Sequence, residues 1–224
     1  MVQAALPLCP VVQHAFYERV LGFVTPVANG RDCGMEDRAL DILKRKGLLY
    51  VTGRSFNREG RAADCCFENA RGGKSTWASQ VLLPRLIGRF GKAHYINIQD
   101  RFQIKEINRG LSDKWELERF MNTTLQELRT LGRSSRALII DECQWLFPNL
   151  RPGGSFSTDP ALNPIKKQYW DLLANYRANG VKLVFVSYMH PQDAGLPFGV
   201  EGYPKMWMIF QAPVFEFKQL PLRP

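Results

Sequence analysis

The sequence predicts an α/β domain with a mainly parallel sheet flanked by helices, and two observations carry that expectation. Short apolar runs alternate with longer stretches of helical spacing along most of the chain, as in repeated strand–helix–strand units. Two of those runs, "ALIID" (137–141) and "KLVFVS" (182–187), are almost unbroken in apolar residues, as strands covered on both faces require. At 224 residues the chain is long enough to bury a substantial core.

The elements follow in order. Pro7, Pro10, Pro26 and Gly34 interrupt the first stretch around one short predicted helix, "VVQHAFYERVLGFV". A helix is predicted over "MEDRALDILKRKG", with acids early, bases late and Gly47 to stop it. Residues 1–46 are read as an N-terminal helical extension and 47–224 as the core domain. "GLLYVTG" is a strand, "RSFNREGRA" a basic connection, and "ADCCFE" a second short strand running into a glycine-rich loop. "STWASQVLLPRLIGRF" has helical apolar spacing, and Pro84 is expected to kink or end it.

"AHYINIQ" is the next strand. "SDKWELERFMNTTLQELRTLG" is the clearest helix, with Trp115, Leu117, Phe120, Leu125 and Leu128 on its apolar stripe and Ser112 as N-cap. "RALIIDECQWLF" is a buried strand carrying two acids, followed by the Pro/Gly/Ser-rich loop "PNLRPGGSFSTDP". The helix "NPIKKQYWDLLANYRANG", closed by Gly180, leads to the buried strand "VKLVFVSY", a loop, and a last apolar run, "KMWMIFQAPVFEF".

Composition narrows the class. Apolar residues make up 45% and charged residues 23%, an ordinary globular mixture. The net charge of +9 suits an anionic partner such as nucleic acid. Five cysteines (9, 33, 65, 66 and 143) form no C-x-x-C pair, and with His14, His94 and His190 they offer no metal-site spacing. The thiols read as reduced, which points to an intracellular, cytoplasmic protein. The N-terminus lacks the basic start of a signal peptide, and no apolar run approaches the ~20 residues of a membrane span.

Chemistry concentrates in two places. Asn69-Ala70-Arg71-Gly72-Gly73-Lys74-Ser75-Thr76 reads like a phosphate-binding loop of the form G-x-x-x-x-G-K-[ST], with Glu68 where the first glycine belongs. Glycines let backbone N–H groups converge on phosphate oxygens. Lys74 would reach the β- and γ-phosphates of ATP, Ser75 would ligate Mg²⁺, and the following helix would turn its N-terminus to the charge. The second place is the end of "RALIID", the pattern of a Walker B strand. Asp141 would hold Mg²⁺, and Glu142 would polarise the attacking water as general base. Ser187 and Tyr188, after the next strand, stand where a sensor of the γ-phosphate would sit; Ser187 serves equally well as a turn cap.

At "IIDECQWL" and "NGVKLVFVSYMHP" the sequence resembles the AAA+ ATPases of DNA transposition, the TnsC/TniB/MuB group. The resemblance spans roughly residues 47–218 by element order, but matches by residue only in the two Walker regions and the sensor strand. It implies a P-loop ATPase of AAA+ type that binds ATP and Mg²⁺ and assembles on double-stranded DNA as a ring or filament. It further implies that the protein meets a transposase and target-selection proteins. Carried over by residue are Gly73, Lys74 and Ser75, Asp141 and Glu142, Gln144, and Ser187 or Tyr188 as sensor.

The chain departs from the pattern at Glu68. It offers no evident arginine finger beyond Arg177 or Arg223, and it stops after "VFEFKQLPLRP", where the family's helical lid would begin. A lid is therefore expected to be absent or minimal. Candidate DNA contacts are Lys105, Arg109, Arg151, Lys166 and Lys167, with Lys44-Arg45-Lys46 and Arg54/Arg58/Arg61 as alternatives; all would grip phosphates without reading sequence. Two other readings stay open: a weakly hydrolysing, nucleotide-gated adaptor, and another P-loop DNA motor such as a phage packaging ATPase.

Overall fold

Among the described residues, five parallel strands form one sheet in the order β2-β3-β4-β1-β5. The computed structural model describes residues 35–54, 74–104, 114–148, 160–188 and 203–218. Helix α1 (Met35–Lys46) ends at Gly47, whose φ of 70° lets the chain turn directly into β1 (Leu48–Arg54). Helix α2 runs continuously through Lys74–Thr76, a π-helical stretch Trp77–Leu82, and Leu83–Phe90. Strand β2 (Ala93–Asn97), a single helical turn α3 (Ile98–Arg101), α4 (Lys114–Gly132) and β3 (Ala137–Asp141) follow. A 3₁₀ turn (Cys143–Leu146), another (Pro160–Leu162), α5 (Asn163–Ala178), β4 (Lys182–Val186), a 3₁₀ helix (Pro204–Gln211) and β5 (Val214–Lys218) complete the described chain.

The apolar strands are apolar throughout because both faces are covered. Leu48 and Tyr50 of β1, Leu138 and Ile140 of β3, and Leu183 and Phe185 of β4 face one core with α4, α5 and the 3₁₀ segments. Their neighbours Leu49, Val51, Ala137, Ile139, Val184 and Val186 face a second core with α1 and α2. Helix α2 thus leaves β1 on one face, whereas the connections around β3 and β4 lie on the other. Ligands of open α/β sheets bind outside the carboxyl ends of the strands at such a reversal.

Several expectations change. Residues 35–46, the described part of the predicted N-terminal extension, pack on β1, β4 and α2. The indole Nε1 of Trp77 donates to Glu36 Oε1 at 3.2 Å, tying α1 to α2. Pro84 does not end its helix. The Leu83 N–H donates five residues back, to Ala78, so the helix is already widened where proline, which has no N–H, enters. "AHYINIQ" is a strand only to Asn97, whose side chain accepts from the Asp100 N–H and caps α3. "RALIIDECQWLF" leaves the sheet after Asp141, and the last apolar run divides into a 3₁₀ helix and strand β5. The predicted strand "ADCCFE", the short helix before residue 35 and the Ser112 cap lie outside the described residues.

Gly132, the last residue of α4, makes room for a neighbour. A Cβ there would lie 1.8 Å from Tyr176 Cζ, and the Tyr176 hydroxyl is held by donating to the Leu128 carbonyl at 2.7 Å. Gly132→Ala is therefore expected to displace the ring and cost ~1–3 kcal/mol in a urea titration. Gly88→Ala, in open space on α2, should instead gain ~0.5–1 kcal/mol. Equal effects of the two substitutions would refute the packing argument.

Candidate functional site

The carboxyl end of the sheet gathers the side chains singled out in the two motifs. Asp141 closes β3 and is 1% exposed. Its Oδ2 accepts from the Tyr95 hydroxyl at 2.5 Å and from Asn97 Nδ2 at 3.4 Å, while Oδ1 accepts from the Glu142 N–H at 2.8 Å. Ser75, in the first turn of α2, lies close enough to the same carboxylate to lower its pKa. Burial raises the Asp141 pKa, against the opposing Tyr95 hydrogen bond, the Ser75 side chain and the nearby Lys74 charge.

Glu142 sits in the left-handed region, at φ 55° and ψ 38°. A non-glycine residue held there stores backbone strain of about 1–3 kcal/mol, a feature that clusters at functional sites. The strain has a visible result: the chain turns off β3 at once, and the Glu142 side chain lies beside Asp141. Burial, then repulsion from Asp141, raises the Glu142 pKa. Gln144 Nε2 donates to Glu142 Oε2, and the Ser187 hydroxyl donates to Gln144 Oε1 at 2.9 Å. The chain Ser187–Gln144–Glu142 links the end of β4 to the carboxylate. Two of the three residues named as sensors, Gln144 and Ser187, thus share one hydrogen-bond chain with Glu142, and Tyr188, next in sequence after Ser187, is buried.

Lys74 opens α2 and is 5% exposed. Desolvation lowers its ammonium to about 8, against the pull of Glu142 and Asp141, which favour its charge. A buried cation, a hydroxyl and two carboxylates thus converge in one crevice. Thr76 follows in the same turn and is half-buried. Asn69, Ala70, Arg71, Gly72 and Gly73, with Glu68, lie outside the described residues, as do Lys105, Arg109, Arg151 and Arg223. Arg177, the candidate finger, is at the far end of α5, where its Nη1 contacts Gln211 at 3.4 Å.

Tyr95 and Asn97 of β2, and Tyr50 of β1, were not singled out by the motifs. Tyr50 is fully buried and hydrogen-bonds both Ser187 and Cys143. The available signal was a polar residue, Asn97, ending an apolar strand; nothing in the sequence ties Tyr95 to Asp141.

Lys166 corrects a DNA-contact expectation. It is 2% exposed, and its ammonium donates to the Phe147 carbonyl at 2.8 Å, so it lies inside the protein, whereas Lys167 is exposed. Helical periodicity decides this, since adjacent residues on α5 point in directions about 100° apart. Burial lowers the Lys166 ammonium from 10.5 to about 8. Between those values the unfolded chain holds a proton that the folded chain has released. Unfolding free energy should therefore rise between about pH 8 and 10, by up to ~1.4 kcal/mol per pH unit for each such lysine, Lys74 included. Urea titrations across that window should show a shallower rise in Lys166→Met; an unchanged slope would contradict the assignment.

Magnesium accepts oxygen ligands, commonly one or two from protein alongside substrate phosphates. The Ser75 hydroxyl and the Asp141 carboxylate, near each other at the end of β3, fit that donor set. The parallel α/β sheet thus brings this lysine and serine, at the start of the described part of α2, to the Asp-Glu pair at the end of an internal strand, the arrangement the two motifs lead one to expect.

Two solved structures are similar to this chain in part. A crystal structure of a DNA replication initiation factor superimposes with a TM-score of 0.43 at 13% identity, covering 80% of this chain and 44% of that one. AMPPCP-bound DnaA from Aquifex aeolicus gives 0.40 at 12%, covering 87% and 48%. The chain spans less than half the length of either. No family profile and no curated protein matches the sequence.

Proposed function

We propose that this protein is an AAA+-type ATPase that binds double-stranded DNA in its ATP state, assembles along it, and recruits or activates a transposase. The observation that carries the nucleotide part is the convergence of Lys74, Ser75, Asp141 and Glu142 at the carboxyl end of the sheet. Lys74 holds the triphosphate, its ammonium fully charged once phosphate oxygens replace the apolar surroundings that depress it. Ser75 and Asp141 hold Mg²⁺, which when bound neutralises charge on the transferring phosphoryl group. Glu142 takes the proton of the attacking water, and the Ser187–Gln144 pair fixes its carboxylate in place. Raised pKa values suit this role, because a base that holds a proton more readily accepts one more effectively.

The DNA part is supported by the +9 net charge, and the transposition part by the likeness of "IIDECQWL" and "NGVKLVFVSYMHP" to that group of ATPases. The test is anisotropy of a fluorescent DNA duplex with a non-hydrolysable ATP analogue, with ADP, and without nucleotide. Binding only with the analogue, lost in Lys74→Ala and weakening steeply with salt, is the expected result. Tight analogue binding without DNA binding in any state would replace the DNA reading with that of a nucleotide-gated adaptor.

A further inference from the structure

We infer that the amino-terminal edge of the sheet, opposite the candidate nucleotide site, is the surface on which this protein grips double-stranded DNA, with Arg133 and Arg136 holding backbone phosphates. This rests on the DNA binding proposed above and names the surface that performs it. The described residues expected to touch DNA lie elsewhere, Lys167 near the start of α5 and Lys166 inside the protein.

Helices end and strands begin at that edge within residues 42–48, 87–93, 128–138 and 175–183. These segments hold ten of the chain's 30 lysines and arginines and no aspartate or glutamate. Strand register sets several of the bases in a row. Lys92 precedes Ala93, which pairs with Ala137; Arg136 precedes Ala137, which also pairs with Lys182. Leu183 pairs with Leu48, and Lys46 stands two residues before Leu48. Four adjacent strands thus each start on or next to a base. Lys46, Lys92 and Arg136 are exposed, and Lys182 is half-buried. At ~4.8 Å per strand the row is about 14 Å wide, a span over which one DNA strand presents about four phosphates. Arg136 and Asp141 stand at opposite ends of β3, about 16 Å apart, so a duplex on this edge does not compete with the nucleotide.

A base in the last turn of a helix also answers the helix dipole, which accounts for Lys44, Arg45, Lys46, Arg89, Arg129 and Arg177 without any ligand. Lys92, Arg133, Arg136 and Lys182 lie beyond the helix ends, where carbonyls already have partners. The Leu131 carbonyl accepts from the Ser134 and Ser135 N–H groups and from the Ser135 hydroxyl. The Tyr176 carbonyl accepts from the Val181 N–H, and that of Asn175 from Asn179 Nδ2. Among the described residues, no hydrogen bond or ion pair takes up the guanidinium of Arg133 or of Arg136. Between the ends of α4 and α5 both arginines line a pocket of about 430 Å³ with Arg129, Asn175, Tyr176 and Asn179, and no carboxylate lines it. Guanidinium forks match two phosphate oxygens at once, and such contacts are indifferent to base sequence.

The experiment measures anisotropy of a fluorescent duplex, with the non-hydrolysable ATP analogue present, across a salt series. It compares the parent, the triple variant Lys92→Gln/Arg133→Gln/Arg136→Gln, and a charge-matched control, Arg101→Gln/Arg119→Gln/Lys167→Gln, whose positions lie off this edge. Urea titrations check that each is folded. The triple variant should bind duplex about tenfold or more weakly and lose about three from the slope of log affinity against log salt, one per phosphate contact. Its affinity for the ATP analogue should stay within about twofold of the parent's, and the control should bind duplex nearly as the parent does. A folded triple variant that binds duplex like the parent, or a control weakened as much as the triple, would overturn the inference while leaving the DNA reading standing. A parent that binds no duplex in any nucleotide state would overturn both. If the triple variant does not fold, Arg133→Gln and Arg136→Gln are read singly: each should lower the slope by about one, and an unchanged slope in both would overturn the inference.

Discussion

Glu142→Gln is expected to abolish ATP turnover, by about 10²–10⁴-fold, while leaving nucleotide affinity nearly unchanged. Glutamine keeps the shape and can still hydrogen-bond Gln144, but it cannot take a proton from water. The parent should show phosphate release that rises with pH through the raised pKa of Glu142, and the variant should lose that dependence. Stability should move the other way. A carboxylate whose folded pKa lies above its unfolded value costs stability once pH exceeds the unfolded value, and the cost is complete above the folded one. The neutral amide removes that cost, so Glu142→Gln should unfold at higher urea at neutral pH. Undiminished phosphate release in the variant would exclude Glu142 as the base.

Trp170→Ala is expected to be the most damaging single core substitution, costing ~3–5 kcal/mol, a large share of the stability of an ordinary domain. Trp170 is fully buried on α5. Its ring stacks on Phe147 with centroids 6.0 Å apart and meets Phe185 of β4 at 5.6 Å. Its Nε1 donates to the Leu146 carbonyl at 2.8 Å. One side chain thus joins α5, β4 and the 3₁₀ turn that follows Glu142. Loss of the ring should loosen that turn and, with it, the placement of Gln144. Trp170→Phe, which keeps most of the volume and loses the hydrogen bond, should cost less. Denaturation midpoints with the order parent, phenylalanine, alanine would support this account; an alanine variant as stable as the parent would sink it.

Much of the fold is legible in the residues because its signals are local. Unbroken apolar strands declare a sheet covered on both faces, and α4 and α5 follow from apolar spacing that a helix must bury. Lys74, Ser75, Asp141 and Glu142 are legible because the chemistry of phosphate and water demands those residue types at the ends of such elements. Other features depend on contacts between distant parts of the chain. Tyr95 reaches Asp141 only because β2 pairs with β3, Asn97 opposite Asp141. Helical periodicity turns Lys166 inward, but the carbonyl that receives its ammonium, that of Phe147, is nineteen positions away in sequence.

The sequence by itself determined that this is a parallel α/β protein carrying two motifs of a candidate nucleotide site, since strand patterning and motif chemistry are written in neighbouring positions. Only the tertiary structure decided that α1 belongs to the same core and that Ser187 and Gln144 position Glu142. It alone put the Lys74–Thr76 turn against β1. Strand order and register bring these groups together, and both are fixed by long-range pairing and packing that no local pattern encodes.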